Sequence, residues 1–265
     1  MARQSWSRDE TLVALNIYCR TPFGRLHGRN PEIIEVATAL GRTPNALAMK
    51  CCNLAAFDPA QQARGIRGLS KASILDQQIW AEFTANPEDL AFEAEVAFAR
   101  LTNRQVRVAE DVQWEDVRGI DRETLTKVRV NQQFFRSMIL AGYRGRCAIC
   151  ELPIAALLVA SHIVPWSIDK TLRMNPKNGI CFCTLHDRAF DRGLIAIAND
   201  YTISVHERIA NQPVTRTVDD YFLRFAGRSI ILPDRWHPDP VLLQRQRECV
   251  APLLDAALVR PGEAN

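Results

Sequence analysis

Two short cysteine pairs constrain this chain more than any other feature. Cys147 and Cys150 stand in CAIC, and Cys181 and Cys183 stand in NGICFCTLHDRAFD, where His186, Asp187 and Asp191 follow directly. Thiolates, imidazoles and carboxylates gathered at such spacing bind metals or activate water. The remaining four cysteines, Cys19, Cys51, Cys52 and Cys249, are scattered in apolar, helical surroundings and read as buried small hydrophobes. The N-terminus, MARQSWSRDE, lacks the apolar centre of a signal peptide, and no apolar run approaches the roughly 20 residues that span a bilayer. A cytoplasmic location is therefore expected, with thiols or metal ligands rather than disulfides and no membrane partner.

At 265 residues the chain is long enough for one large or two modest domains. Residues 5–58 read as three helices. SWSRDETLVALNIYCR opens on a serine N-cap, NPEIIEVATALG carries Pro31 at its first position and Gly41 at its stop, and TPNALAMKCCNLAAFD begins Thr-Pro. Helical pattern continues through Ile79, Trp80 and Phe83, and again through Leu90, Phe92, Val96 and Phe98. Residues 101–121 lack a clear period and read as a linker. From residue 122 a helix with Phe134, Phe135, Met138 and Ile139 on its apolar face leads into short strands, LLVASH, ICFC, LIAIAND, YTISVHE and SIILP, and a last helix near 239–258. The expected architecture is α+β: a helical domain over 1–100, a linker over 101–121, and a second domain over 122–265 whose core is 143–195.

In the first domain, W-x3-E-x-L-x2-L-x2-Y followed by LGRTPNALAMKCCNL resembles Myb/SANT-like or helix-turn-helix modules. That resemblance makes the third helix a DNA-reading element, with Arg42, Lys50 and Asn53 as its contacts. A plain helical packing domain is the competing reading.

In the second domain the order is strand, Ser161-His162, loop, Asn178, strand, and a helix bearing His186, Asp187 and Asp191. Together with RVNQQFFR (129–136), Tyr143 and Cys147, ASHIVPW, and NPKNGICFCTLHDRAFDRGLI, this order resembles the restriction-associated branch of the HNH endonucleases, with their ββα-metal motif. The resemblance implies that His162 is the general base, Asn178 orients it, and the helix residues His186, Asp187 and Asp191 hold a catalytic Mg²⁺ or Mn²⁺. Residue chemistry agrees: an imidazole with an ordinary pKa near ~6.5 can take a proton from water at neutral pH. Arg173, Lys177, Arg188 and Arg192 are placed to meet phosphates of double-stranded DNA. Ser161 departs from the acidic residue or histidine that many HNH nucleases carry before the base.

CAIC is a C-x2-C knuckle, and a second pair would complete a structural Zn²⁺ site. Cys181 with Cys183 is one choice, leaving His186 to the catalytic metal, and we favour it here. Cys183 with His186, at C-x2-H spacing, is the other. A third reading has all four cysteines reduced in the core without zinc.

Residues 122–192 hold eleven Lys/Arg against five acids, which suits a nucleic-acid backbone without requiring one. The expected function is hydrolysis of DNA phosphodiesters to 5′-phosphate and 3′-hydroxyl ends, in restriction of foreign DNA that is modified or unmodified. A homodimer is the assembly that double-strand cleavage would call for. Two alternatives stand beside it: a DNA-binding protein with a zinc-stabilised, catalytically weak HNH-like scaffold, and a nicking or homing nuclease of mobile elements.

Overall fold

A computed structural model describes residues 5–66, 72–109 and 122–256. The chain divides into two compact units, one formed by Met1–Gly142 with Arg173–Asn175 and Asp234–Trp236, the other by Tyr143–Leu172, Pro176–Pro233 and His237–Asn265. The architecture is α+β.

The first unit is helical: α1 (Arg8–Arg20), α2 (Pro31–Ala39), α3 (Pro44–Ala55), α4 (Pro59–Ala63), α5 (Ile74–Ala85), α6 (Pro87–Thr102) and α7 (Arg122–Gly142). Helix α1 starts at a capping box, in which Ser7 and Glu10 satisfy each other's backbone N–H groups. Its residues from Thr11 to Cys19 are all buried, as expected of a helix packed on every side. Helices α3, α6 and α7 surround it. At its C-terminal end, Arg235 Nη2 donates to the carbonyls of Tyr18, Cys19 and Thr21 at 2.7, 3.0 and 3.2 Å. That satisfies acceptors a helix end leaves open.

Two expectations change here. Helix α7 belongs to the first unit, because its apolar face, with Phe134, Phe135 and Met138 buried, packs on α1 and α6. The sequence reading had assigned it to the second domain. Of the expected linker, residues 110–121 lie outside the described residues. The part before them is held in place, with Arg107 Nη2 2.7 Å from the buried Glu95 carboxylate.

The DNA-reading role of α3 is also corrected. Lys50 is 3% exposed and paired with the buried Asp76, with its ammonium 5.3 Å from the Trp6 ring. Arg42 is paired with Glu10 at 2.8 Å and donates to the Ser5 carbonyl. The Asn53 amide donates to Asp76. Lys50 is the one basic residue in α3, so the helix's exposed face, with Asn45 and Met49, presents no cation to a phosphate. Releasing Lys50 to DNA would strand Asp76 as an unpaired buried charge.

The second unit is built on two antiparallel pairs, β1 (Leu158–His162) with β2 (Gly179–Cys183), and β3 (Ile195–Ile197) with β4 (Ile203–Val205). Helix α8 (Thr184–Asp191) follows β2 directly and packs on β1, β2 and β3. Cys183 is its N-cap and Thr184 its first helical residue. SIILP forms an isolated bridge, Thr202 with Ser229, rather than a strand. Short helices α9 (Glu207–Ala210) and α10 (Arg216–Tyr221) precede α11 (Pro240–Ala256). Gln246 of α11 donates to the Phe190 carbonyl at 3.0 Å, and Arg247 to that of Ile197. Among the described residues no helix is long and apolar enough to cross a membrane.

Asp76→Ala is expected to destabilise the protein by about 3–5 kcal/mol, because it leaves Lys50 charged and unpaired in the core. Urea unfolding of the two proteins measures this, and a loss below about 1 kcal/mol would contradict the buried pair.

Candidate active site and metal centre

The CAIC turn is closed by two backbone bonds: Glu151 N donates to the Cys147 carbonyl at 3.0 Å, and Cys147 N to that of Leu152 at 3.1 Å. Glu151 takes a left-handed φ of 60° to make this reversal. Ala148 N donates to the Cys181 carbonyl at 2.7 Å, which fastens the turn against β2. At the far end of β2, the chain turns from strand to helix at Cys183. His186, in the first turn of α8, therefore folds back beside it.

The result is a cluster of Cys147, Cys150, Cys183 and His186 whose donor atoms all lie within 4.8 Å of one another. The Cys150 and Cys183 sulfurs are 3.9 Å apart, and His186 Nδ1 is 3.5 Å from Cys147 Sγ and 3.2 Å from Cys183 Sγ. Tetrahedral zinc with bonds of about 2.3 Å to sulfur and 2.0–2.1 Å to nitrogen separates its ligands by about 3.5–3.8 Å. His186 Nε2 lies 2.8 Å from the Tyr221 carbonyl. That bond puts the ring proton on Nε2 and leaves the Nδ1 lone pair facing the sulfurs, as a metal-binding histidine requires. Phe222 and Phe225 present their rings edge-on to the imidazole at 6.0 and 5.9 Å.

The electrostatics agree with a ligand set. Burial opposes a charge on His186, but contacts with Cys147 and Cys183 outweigh it and push its pKa up to about 10. Hydrogen bonds from Cys147, Cys150 and His186 hold the Cys183 thiol far below its usual range. Cysteine sulfurs and the His186 Nδ1 edge thus face one another across a space that a divalent cation would fill.

Two expectations are thereby corrected. His186 belongs with the cysteines and not with the helix carboxylates. Cys181 lies outside the cluster. Extended backbone holds residues 181 and 183 roughly 7 Å apart, whereas the strand-to-helix turn brings His186 against Cys183.

His162 ends β1 opposite Gly179, where the ladder gives way to a turn. Asn178 is fully buried. Its Oδ1 accepts from Val164 N at 2.8 Å, while its Nδ2 donates to the carbonyls of Val164 and Leu172 at 3.1 and 3.3 Å. Ile163 N donates to its backbone carbonyl at 2.9 Å. The amide thus clamps the turn that leaves His162. The indole Nε1 of Trp166 lies 2.7 Å from His162 Nε2 and 3.1 Å from Nδ1, a contact that the run ASHIVPW does not reveal.

Asp187 and Asp191 stand one turn apart on α8. Burial raises the Asp187 pKa, the nearby Ser161 hydroxyl counters it, and the Cys183 thiolate adds to it. Desolvation and then the charge of Asp187 push Asp191 up to about 6. Since the Asp191 side chain is exposed by surface area, repulsion from Asp187 is the firmer cause. The Ser161 hydroxyl is buried and makes no hydrogen bond of ordinary length. The buried Ser161 hydroxyl beside Asp187, with a second carboxylate that Asp187 repels one turn further along α8, suits a divalent cation. Lys177, Arg188 and Arg192 are exposed and Arg173 is half-buried.

Residues 147–198 match the family model HNH_2, HNH endonuclease. That segment spans the cysteine turn, β1, β2, α8 and β3, and so contains the four cluster residues together with His162, Asn178, Asp187 and Asp191. No curated protein matches the chain. An HNH endonuclease domain implies nuclease activity on DNA, and the Cys3His cluster within it suits a structural metal.

Elemental analysis of the purified protein should find one metal per chain that is lost in Cys183→Ser and in His186→Ala but retained in Cys181→Ser. Loss in Cys181→Ser with retention in His186→Ala would return the site to four cysteines.

Proposed function

We propose that this protein is a metal-dependent endonuclease that hydrolyses DNA phosphodiester bonds within its HNH segment. What carries the proposal is the combination of His162 at the end of β1, the buried Asn178 clamp on the following turn, and two mutually repelling carboxylates on α8, the first beside the buried Ser161 hydroxyl. His162 takes the proton from the attacking water, aligned opposite the leaving 3′ oxygen. Asn178 keeps the loop and the imidazole's backbone fixed during that transfer. Asp187, Asp191 and Ser161 would hold Mg²⁺ or Mn²⁺, and when bound the cation supplies positive charge against the negative charge building on the phosphate and leaving group. Lys177, Arg188 and Arg192 hold the flanking phosphates. The Cys147, Cys150, Cys183 and His186 cluster would bind Zn²⁺ and lock the cysteine turn to the β2–α8 junction. The setting we infer is restriction of foreign DNA, in a cytoplasmic protein that cuts both strands as a homodimer.

A second reading, a zinc-stabilised DNA-binding scaffold with weak cleavage, draws on two observations. Serine occupies position 161, and the Trp166 indole N–H is directed at the ring edge where His162 needs a free lone pair.

Plasmid incubated with the protein and Mg²⁺ or Mn²⁺ should be nicked or linearised, and His162→Ala should slow this by about 10²–10⁴-fold. Binding without cleavage in either metal would favour the scaffold. A panel of unmodified and cytosine-modified DNA tests the restriction reading, which predicts that one of the two is cut in preference.

A further inference from the structure

The loop joining α1 to α2 carries a feature that none of the roles above explains. Residues 20–31, RTPFGRLHGRNP, contain four basic or imidazole side chains besides none that are acidic, namely Arg20, Arg25, His27 and Arg29. A cavity of about 260 Å³ opens within the loop, lined by Arg20, Thr21, Arg25, Asn30 and Glu32 among others. Its polar walls are unfinished. Thr21 is 4% exposed, and its buried hydroxyl has no hydrogen-bond partner. The Arg20 side chain is 7% exposed, and its buried Nε and Nη2 make no aligned hydrogen bond, although Nη2 stands 2.6 Å from Glu32 Oε1. The buried Thr21 hydroxyl, left without a bond, marks a missing partner.

Chemistry identifies that partner as an anion. The Arg20 guanidinium lies 4.1 Å from the centre of the Phe98 ring, a cation–π contact that holds it in place. Burial and the neighbouring charge of Arg107 push its pKa down to about 10, while Glu32 and Glu95 act against them. The Glu32 carboxylate, on a side chain 39% exposed, can swing out and leave the position beside Nη2 to another oxyanion. The amino end of α2 faces the same cavity through Pro31 and Glu32 and favours negative charge.

Size narrows the class. The cavity holds several waters at roughly 30 Å³ each but falls short of the roughly 300–1,000 Å³ of clefts that enclose whole organic ligands. It takes a phosphate group rather than a nucleotide. Around it Arg25, His27 and Arg29 are exposed, and a chain of further phosphates would lie along them. We infer that the α1–α2 loop of the helical unit binds a backbone phosphate of DNA through Arg20, Thr21 and Arg25, with Arg29 on a neighbouring phosphate. This goes beyond the nuclease reading, because it concerns binding and stands or falls without cleavage.

Two measurements on the full chain test it. Inorganic phosphate should raise the melting temperature in a saturable way, and Thr21→Val, which removes only the unpartnered hydroxyl, should abolish that rise without lowering the melting temperature in its absence. In the His162→Ala background, which keeps a duplex intact, Arg25→Gln with Arg29→Gln should weaken duplex binding about tenfold. The slope of log affinity against log salt should shrink by about 2, the release expected for two phosphate contacts. No phosphate-dependent rise in the parent protein overturns the site. A rise abolished by Thr21→Val, with duplex affinity and salt slope unchanged by the arginine pair, overturns the assignment to DNA and makes this a site for free phosphate.

Discussion

The second unit depends on one convergence: two sulfurs from the turn at 147–150 meet a sulfur and an imidazole nitrogen from the junction of β2 and α8. Each of the four is supplied by a segment with little regular structure of its own. A five-residue strand pair and an eight-residue helix bury too little apolar surface to hold such a shape unaided. The cluster closes the turn onto β2, fixes where α8 begins, and through Tyr221 reaches the end of α10. Asp187 and Asp191 take their position from that same first turn. The proposed catalytic carboxylates and the proposed zinc ligands are thus neighbours on one short helix, alternating around it.

This proximity is also why a histidine next to an aspartate was hard to assign. His186 and Asp187 are adjacent in the chain, and α-helical geometry separates adjacent side chains by about 100°. One points to the sulfurs and the other toward Ser161. A sequence that reads HD shows two metal-capable groups, and both roles fit the spacing. Only the position of the cysteine turn decides which faces which.

Much of the rest was legible. The first three helices were readable from a serine cap, from Pro31 at a first helical position and from a Thr-Pro opening, and the structure caps them with Ser7, Asn30 and Thr43, since capping is local chemistry. The strand containing Ser161 and His162, the strand ICFC and the helix after it were readable from alternation and breakers. Local pattern misled where a charged residue was taken as exposed. Lys50 in α3 looked like a contact for DNA because nothing nearby in sequence opposes it, and its partner Asp76 arrives from α5, 26 residues later. The Trp166 N–H meets the His162 ring only because the turn after β1 doubles back.

The sequence by itself determined the chemical inventory: a C-x2-C turn, a C-x2-H step, a strand-borne histidine, an asparagine before a second strand, and paired carboxylates four residues apart. Those follow from residue type and spacing, which backbone geometry converts into faces of strands and helices. Tertiary structure alone decided membership. It assigned His186 to the sulfurs and left Cys181 out, joined α7 to the helical unit, and turned Lys50 and Arg42 inward. The physical reason is common to all of these. Coordination, ion pairing and burial depend on distances between segments remote in the chain, and no local propensity encodes those distances.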